Sequence, residues 1–125
     1  MKPNETRLQT YFLAQLSQLP GCAVIQSDGT LRGDPSFVAV FWRQNTGAAR
    51  TGDRLIRFGV TGQPDITGAV RGRRVEIEVK TDTGKQSVEQ RTFAAHLSQA
   101  GELYILARTL DDVLTPVREL IGEIT

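Results

Sequence analysis

The chain has 125 residues, a formal net charge of +1, and hydrophobic and charged fractions of 39% and 23%; that ordinary balance argues against disorder and leaves room for one core, hence one domain over 1–125. No apolar run approaches the roughly 18 residues that span a bilayer, and Met1-Lys2-Pro3 leads into a polar helix rather than a signal sequence, so the expectation is a cytoplasmic protein with no membrane partner. The lone Cys22 excludes an internal disulfide and reads as a small buried hydrophobe.

Asn4 is placed to cap a first helix in which Leu8, Phe12, Leu16 and Leu19 recur at helical spacing, ending at Pro20-Gly21. Glu5 lies on that stripe, either as a first-turn acid favoured by the helix dipole or as a group aimed at a cleft. Cys22 to Gln26 reads as an edge strand and Ser27 through Pro35 as loop. Phe37 to Trp42 is strand-like; Trp42 reads as core, with stacking on a base as the second reading. The turn signal Asn45-Thr46-Gly47 follows, and Arg54 to Val60 alternates again.

Gly62 to Lys80 reads as a β-hairpin. On its second arm Glu76, Glu78 and Lys80 share one face, while Val75, Ile77 and Val79 share the other. A tight turn at Arg71-Gly72 sets Asp65 opposite Glu78; a turn at Gly72-Arg73 sets it opposite Lys80 and diagonal to Glu78. In either register two carboxylates about 4.5–8 Å apart repel one another unless a cation lies between them. Carboxylate oxygens with no His or Cys cluster beside them suit Mg²⁺ or Mn²⁺ better than Zn²⁺. Lys80 adds a positive charge suited to a phosphate or an attacking water, so the set points to metal-assisted phosphodiester hydrolysis.

Beyond the hairpin, Thr81 to Gln86 is a polar loop, and Ser87-Val88-Glu89-Gln90 is a capping-box pattern opening a second helix. Gln90 has two readings: its amide reaches back to the Ser87 backbone, or it faces the sheet and needs a polar partner, for which Lys80 or a water near a metal could serve. His96 lies off the apolar stripe and reads as solvated. Gly101 ends this helix, Leu103 to Ala107 makes a buried strand, and Thr109 to Thr125 reads as one or two helices interrupted at Pro116, with Thr115 able to cap the second. The predicted order is a small mixed sheet flanked by helices, with a strand-helix-strand crossover making Val75–Lys80 and Leu103–Ala107 parallel neighbours.

Positive charge concentrates mid-chain, at Arg43, Arg50, Arg54, Arg57, Lys85 and Arg91 among others, whereas Glu102, Asp111, Asp112, Glu119 and Glu123 load the C-terminal part. The basic segment can supply phosphate contacts to nucleic acid, although each arginine alone also reads as a solvated surface charge. No helix-turn-helix or zinc-finger spacing is present to read base edges.

Pro64-Asp65 and Glu78-Val79-Lys80, with Arg43-Gln44-Asn45-Thr46-Gly47-Ala48-Ala49, Arg57-Phe58-Gly59, Gly62-Gln63-Pro64-Asp65-Ile66, Thr83-Gly84-Lys85-Gln86-Ser87, Gln90 and Gly101 in that order, resemble the VRR-NUC family of the PD-(D/E)xK nuclease superfamily. The resemblance implies a stand-alone domain of bacterial or phage type with a restriction-endonuclease-like αβββαβ core. It implies Asp65 and Glu78 as ligands of Mg²⁺ or Mn²⁺, with the Val79 carbonyl completing the protein share of the shell. Lys80 would orient or deprotonate the attacking water, Gln90 would support the site, and Glu5 would stand near the metal. Glu76 is an extra acid one step before the motif.

The leading expectation is a metal-dependent endonuclease acting on structured DNA, such as Holliday junctions or flaps, as a homodimer matching a junction's two-fold symmetry. Linear duplex or single-stranded DNA is the alternative substrate, and a non-catalytic DNA-binding or scaffold module is the alternative class.

Overall fold

The computed structural model describes residues 4–44 and 47–122 and, within the strands, leaves aside the side chains of residues 47–49, 57 and 58. The Asn45-Thr46 turn signal, Glu123 and the side chain of Arg57 therefore lie outside the described residues. Asn4 caps the first helix, α1 (Glu5–Leu16), by accepting from the Arg7 N–H at 2.8 Å. The helix stops short of the predicted Leu19. Gln18 and Leu19 donate to the Gln15 and Leu16 carbonyls in tighter turns, and Pro20 cannot continue the ladder.

Strands β1 (Cys22–Ile25) and β2 (Leu31–Gly33) form a hairpin, and β1 also pairs in parallel with β3 (Ala39–Arg43). β1 is thus interior rather than an edge strand, and the edge falls on β2, inside the stretch read as loop. The Asp28 carboxylate explains the fold-back: it accepts from the Thr30 N–H at 3.0 Å and from its hydroxyl at 2.6 Å, closing an Asx-type turn. β3 begins two positions later than the predicted Phe37, because Phe37 is exposed and Ala39 is where pairing with Cys22 begins.

β4 (Gly47–Thr51) and β5 (Arg54–Phe58) pair only with each other, as a separate two-stranded sheet; Leu55 and Ile56 on it are exposed. β6 (Ile66–Val70) and β7 (Arg73–Val79) then make the central hairpin, α2 (Val88–Gln99) crosses over, and β8 (Leu103–Ala107) returns parallel to β7. The main sheet has six strands in the order β2-β1-β3-β6-β7-β8. The protein is therefore mixed α/β, a mixed six-stranded sheet flanked by helices.

The central turn uses Arg71 and Gly72, with φ of 48° and 84°. Positive φ at both central residues belongs to the type I′ geometry whose twist matches a two-residue hairpin. That turn selects the register Ile66↔Ile77 and Thr67↔Glu76.

The core lies on one sheet face. Phe41, Ile66, Val75, Ile77 and Val79 from the sheet meet Phe12 and Leu16 of α1 and Val113 and Val117 of α3 (Leu110–Gly122). Each such side chain contributes about 1.5–3 kcal/mol on burial. α3 is one continuous helix through Pro116, not two. Its start is capped reciprocally by Thr109 and Asp112, and the buried face of Val113, Leu114, Val117 and Leu120 holds it across the single donor that Pro116 lacks. Cys22 is buried, and its thiol is pushed up to about 11 by desolvation and the nearby Asp34 charge, as expected of an inert apolar residue. Among the described residues no helix is long and apolar enough to cross a membrane.

Candidate functional site

Continuing the β6–β7 register one step beyond Ile66↔Ile77 sets Asp65 opposite Glu78. This is the first of the two registers the sequence allowed. Asp65 is fixed from both sides: its Oδ2 accepts from the Val79 N–H at 2.8 Å, and its carbonyl accepts from the Gln44 N–H at 2.8 Å. Gln44 also donates through Nε2 to the Pro64 carbonyl at 3.0 Å and accepts from the Gln63 amide, so the Gln63-Pro64-Asp65 segment is tied to the end of β3. Gly62, at φ +85°, packs so tightly on the Glu89 carbonyl at the start of α2 that no side chain fits there.

Glu78 is 1% exposed. Its Oε1 accepts from Gln90 Nε2 at 3.0 Å, whereas its Oε2 is buried with no partner. Burial, then the charge of Asp65, push the Glu78 carboxyl up to about 9, against the opposing pull of Lys80. Lys80 is itself buried, with Nζ 3.5 Å from Glu5 Oε1, while its backbone N–H donates to Ala107 on β8.

Gln90 both closes the cap and faces the sheet, where its partner is Glu78 rather than the expected Lys80 or a water. Its Oε1 accepts from the Ser87 N–H at 2.8 Å, completing the capping box, which turns Nε2 toward Glu78. Glu5 likewise sits in the first turn of α1 and also pairs with Lys80.

The face carrying Glu76, Glu78 and Lys80 is not a solvated charged face, since all three side chains are buried. Glu76 nevertheless stands apart from the acid pair. Its Oε1 accepts from Thr67 Oγ1 at 2.8 Å and Arg74 Nη2 at 3.0 Å, and its Oε2 from Gln44 Nε2 at 3.1 Å. Desolvation raises its carboxyl while Thr67 and Arg74 lower it.

Of the predicted DNA contacts, Arg50 and Arg54 are exposed on the β4–β5 hairpin and Lys85 in the loop before α2. Arg91 is exposed on α2 and reaches the Gln86 carbonyl at 3.5 Å. Arg43 instead turns toward α1, donating from Nη2 to Thr10 Oγ1 at 2.8 Å. Arg57 pairs by backbone with Ala48. His96 is exposed, as expected.

Three supporting residues escaped the sequence reading. Gln44 is one. Arg108 clamps the loop after Lys80 through Nη1, bonding the Thr81 and Gly84 carbonyls at 2.6 and 2.7 Å. Tyr104 neighbours Glu76 on β8 and accepts from Gln86 Nε2 at 2.9 Å; burial and the Glu78 charge push its phenol up to about 12. The only sequence signal for the last two was their position on, or one step beyond, the strand parallel to the acid arm.

Among the described residues no three His, Cys, Asp or Glu side chains are grouped to hold an ion by themselves. A cation here would take two carboxylates from the protein and the rest of its shell from backbone, water or substrate oxygens, which is how Mg²⁺ is commonly held. The unpartnered Glu78 Oε2 fits that demand: it is a buried oxygen that a divalent ion would satisfy. Compared with models of known families, with curated proteins and with solved structures, the chain matches none.

Proposed function

We propose that this protein is a divalent-metal-dependent DNA endonuclease of the VRR-NUC type within the PD-(D/E)xK superfamily, hydrolysing phosphodiester bonds in structured DNA such as Holliday junctions or flaps. The observation that carries the reading is the buried Glu78, with an unpartnered oxygen, opposite a half-buried Asp65 and two residues from a buried Lys80. The element order also supports it: α1, the antiparallel run β3-β6-β7, then α2 and the parallel β8, run in the αβββαβ order that this reading expects.

Asp65 and Glu78 would hold the Mg²⁺ or Mn²⁺, together with the Val79 carbonyl. When bound, the ion polarises the scissile phosphate and lowers the pKa of a water. The chain does the positioning. The Val79 N–H and Gln90 Nε2 each hold one carboxylate oxygen, so the other is presented in a fixed direction. Lys80 orients the attacking water and meets charge developing on the phosphate, and Glu5 keeps its ammonium on that side. Arg50, Arg54, Arg57, Lys85 and Arg91 serve as backbone-phosphate contacts, which position DNA without reading sequence.

A panel of labelled junction, flap, nicked, duplex and single-stranded DNAs with Mg²⁺ or Mn²⁺ tests this. The wild type cuts branched substrates in preference, and Asp65→Ala, Glu78→Ala and Lys80→Ala each lose cleavage; full cleavage by all three sinks the reading. Two symmetric cuts in a junction require a homodimer, and a monomer by light scattering, with and without DNA, counts against that part. The sparse two-carboxylate set favours one second reading, a DNA-binding module without turnover. That module gives no saturable Mn²⁺ heat in calorimetry, whereas the nuclease gives a heat that Glu78→Ala removes.

A further inference from the structure

The β4–β5 ribbon stands outside the main sheet. Its strands pair only with each other, every residue from 50 to 56 is exposed, and Leu55 and Ile56 keep 50% and 46% of their surface in water. A lone two-stranded hairpin is marginally stable at best, so such a ribbon needs a surface to lie against. Its root, however, is fixed beside the acid pair. Gln44, shortly before the ribbon, donates its N–H to the Asp65 carbonyl at 2.8 Å, and Gln63, shortly after it, donates to the Gln44 side chain while accepting from the Val60 N–H at 2.9 Å.

The two faces of the ribbon are alike in kind. Arg50 stands opposite Leu55 on one, and Arg54 shares the other with Ile56, two residues further along β5. Each face therefore offers a cation beside an aliphatic side chain. Between residues 47 and 61 the sequence has three arginines and one acid, Asp53, which suits a polyanion and would set a second copy's ribbon against like charge. That charge selects DNA as the occupant, and the two faces select its form. A uniform duplex lying along the ribbon covers one face only. At a branch point two duplexes diverge, and each ends in a base pair whose apolar face is flanked by phosphates.

We propose that the ribbon inserts at a DNA branch point, with one duplex arm against Arg50 and Leu55 and the other against Arg54 and Ile56. The identity of the occupant rests on the nuclease reading above. Five paired residues at ~3.4 Å each reach about 17 Å, so these contacts fall within about half a ~34 Å helical turn of the scissile phosphate.

Both aliphatic positions are exposed, and threonine there keeps strand propensity while removing most of the apolar surface. The full chain in EDTA, where no metal supports cleavage, is titrated with a four-way junction and with a linear duplex of the same arm sequence. Leu55→Thr and Ile56→Thr each weaken junction binding about tenfold, and the double variant binds junction and duplex alike. Arg50→Gln and Arg54→Gln each lower the salt slope of junction binding by about one. If the double variant does not fold, the two single threonine variants decide alone. A junction preference that the threonine variants leave intact overturns the insertion. Threonine variants that fall from dimer to monomer in light scattering overturn DNA as the occupant and put a second copy there. Cleavage that survives Asp65→Ala and Glu78→Ala overturns the nuclease reading instead, and the metal-free titration separates the two failures.

Discussion

Glu76 and Glu78 stand two residues apart on β7, share a sheet face, and are both buried, yet their surroundings are opposite in kind. Around Glu76, Thr67, Arg74 and Gln44 donate to both oxygens, and Arg74 brings a compensating charge. Around Glu78 a single amide donates to one oxygen, the other has no partner, and the nearest charge across the hairpin is another carboxylate. A buried acid whose bonds are complete stabilises the fold. One left incomplete beside a like charge costs stability unless a further group completes it, which is why the proposed cation is placed there.

The largest test of that contrast exchanges the two acids' fates. Glu78→Ala or Asp65→Ala is expected to lower Mn²⁺ affinity and cleavage by at least about 100-fold, more than the ~10–100-fold typical of outer partners. Glu76→Ala is expected to cost about 1–3 kcal/mol in urea denaturation, because it strands Thr67 and Gln44, while cleavage per folded molecule changes little. Equal loss of cleavage in both would erase the distinction.

Next in size is the two-ended amide. Gln90→Ala should weaken Mn²⁺ binding about tenfold by freeing Glu78. Ser87→Ala removes the cap alone and should cost about 1 kcal/mol of stability without touching metal affinity. If the two variants behave alike, Gln90 acts only through the helix.

Titration gives a third handle. The fold raises the Glu78 carboxyl from 4.5 to about 9, so between those values the folded, metal-free protein binds more protons than the unfolded chain. This group's stabilising contribution is therefore full below about 4.5 and is lost as pH rises through about 9. Glu78→Gln, which does not ionise, should melt above wild type at pH near 9, with the gap closing toward pH 5 and reversing when Mn²⁺ is added to wild type. A gap that widens toward acid contradicts the assignment. The smallest effect is expected at Glu5: it is 40% exposed beside Lys80, so Glu5→Gln should cost under about 1 kcal/mol of stability and lower cleavage only a few-fold.

Much of this was legible in the chain alone because it depends on local chemistry. Asn4 and Ser87 cap their helices as their side-chain oxygens dictate, and the alternation of Val75, Ile77 and Val79 sends those residues into the core. What local chemistry could not supply was pairing over distance. The Asp28-Gly29 turn folds β2 back onto β1 and makes β1 an interior strand, and packing of Val113 and Val117 carries α3 through Pro116. Neither Arg108 over the Lys80 loop nor Gln44 under Pro64 has a nearby sequence partner to announce it.

By itself, the sequence determined that an acid triplet and a lysine share one strand with Asp65 close by, because strand periodicity and hairpin length leave few alternatives. Only the tertiary structure decided which acid is left open. Positive φ at Arg71 and Gly72 selects the register that opposes Asp65 to Glu78, and the donors that complete Glu76 arrive from the residue after β3, from β6 and from the start of its own strand. Whether a buried oxygen is satisfied depends on groups remote in the chain, and only the packed fold brings them within hydrogen-bonding distance.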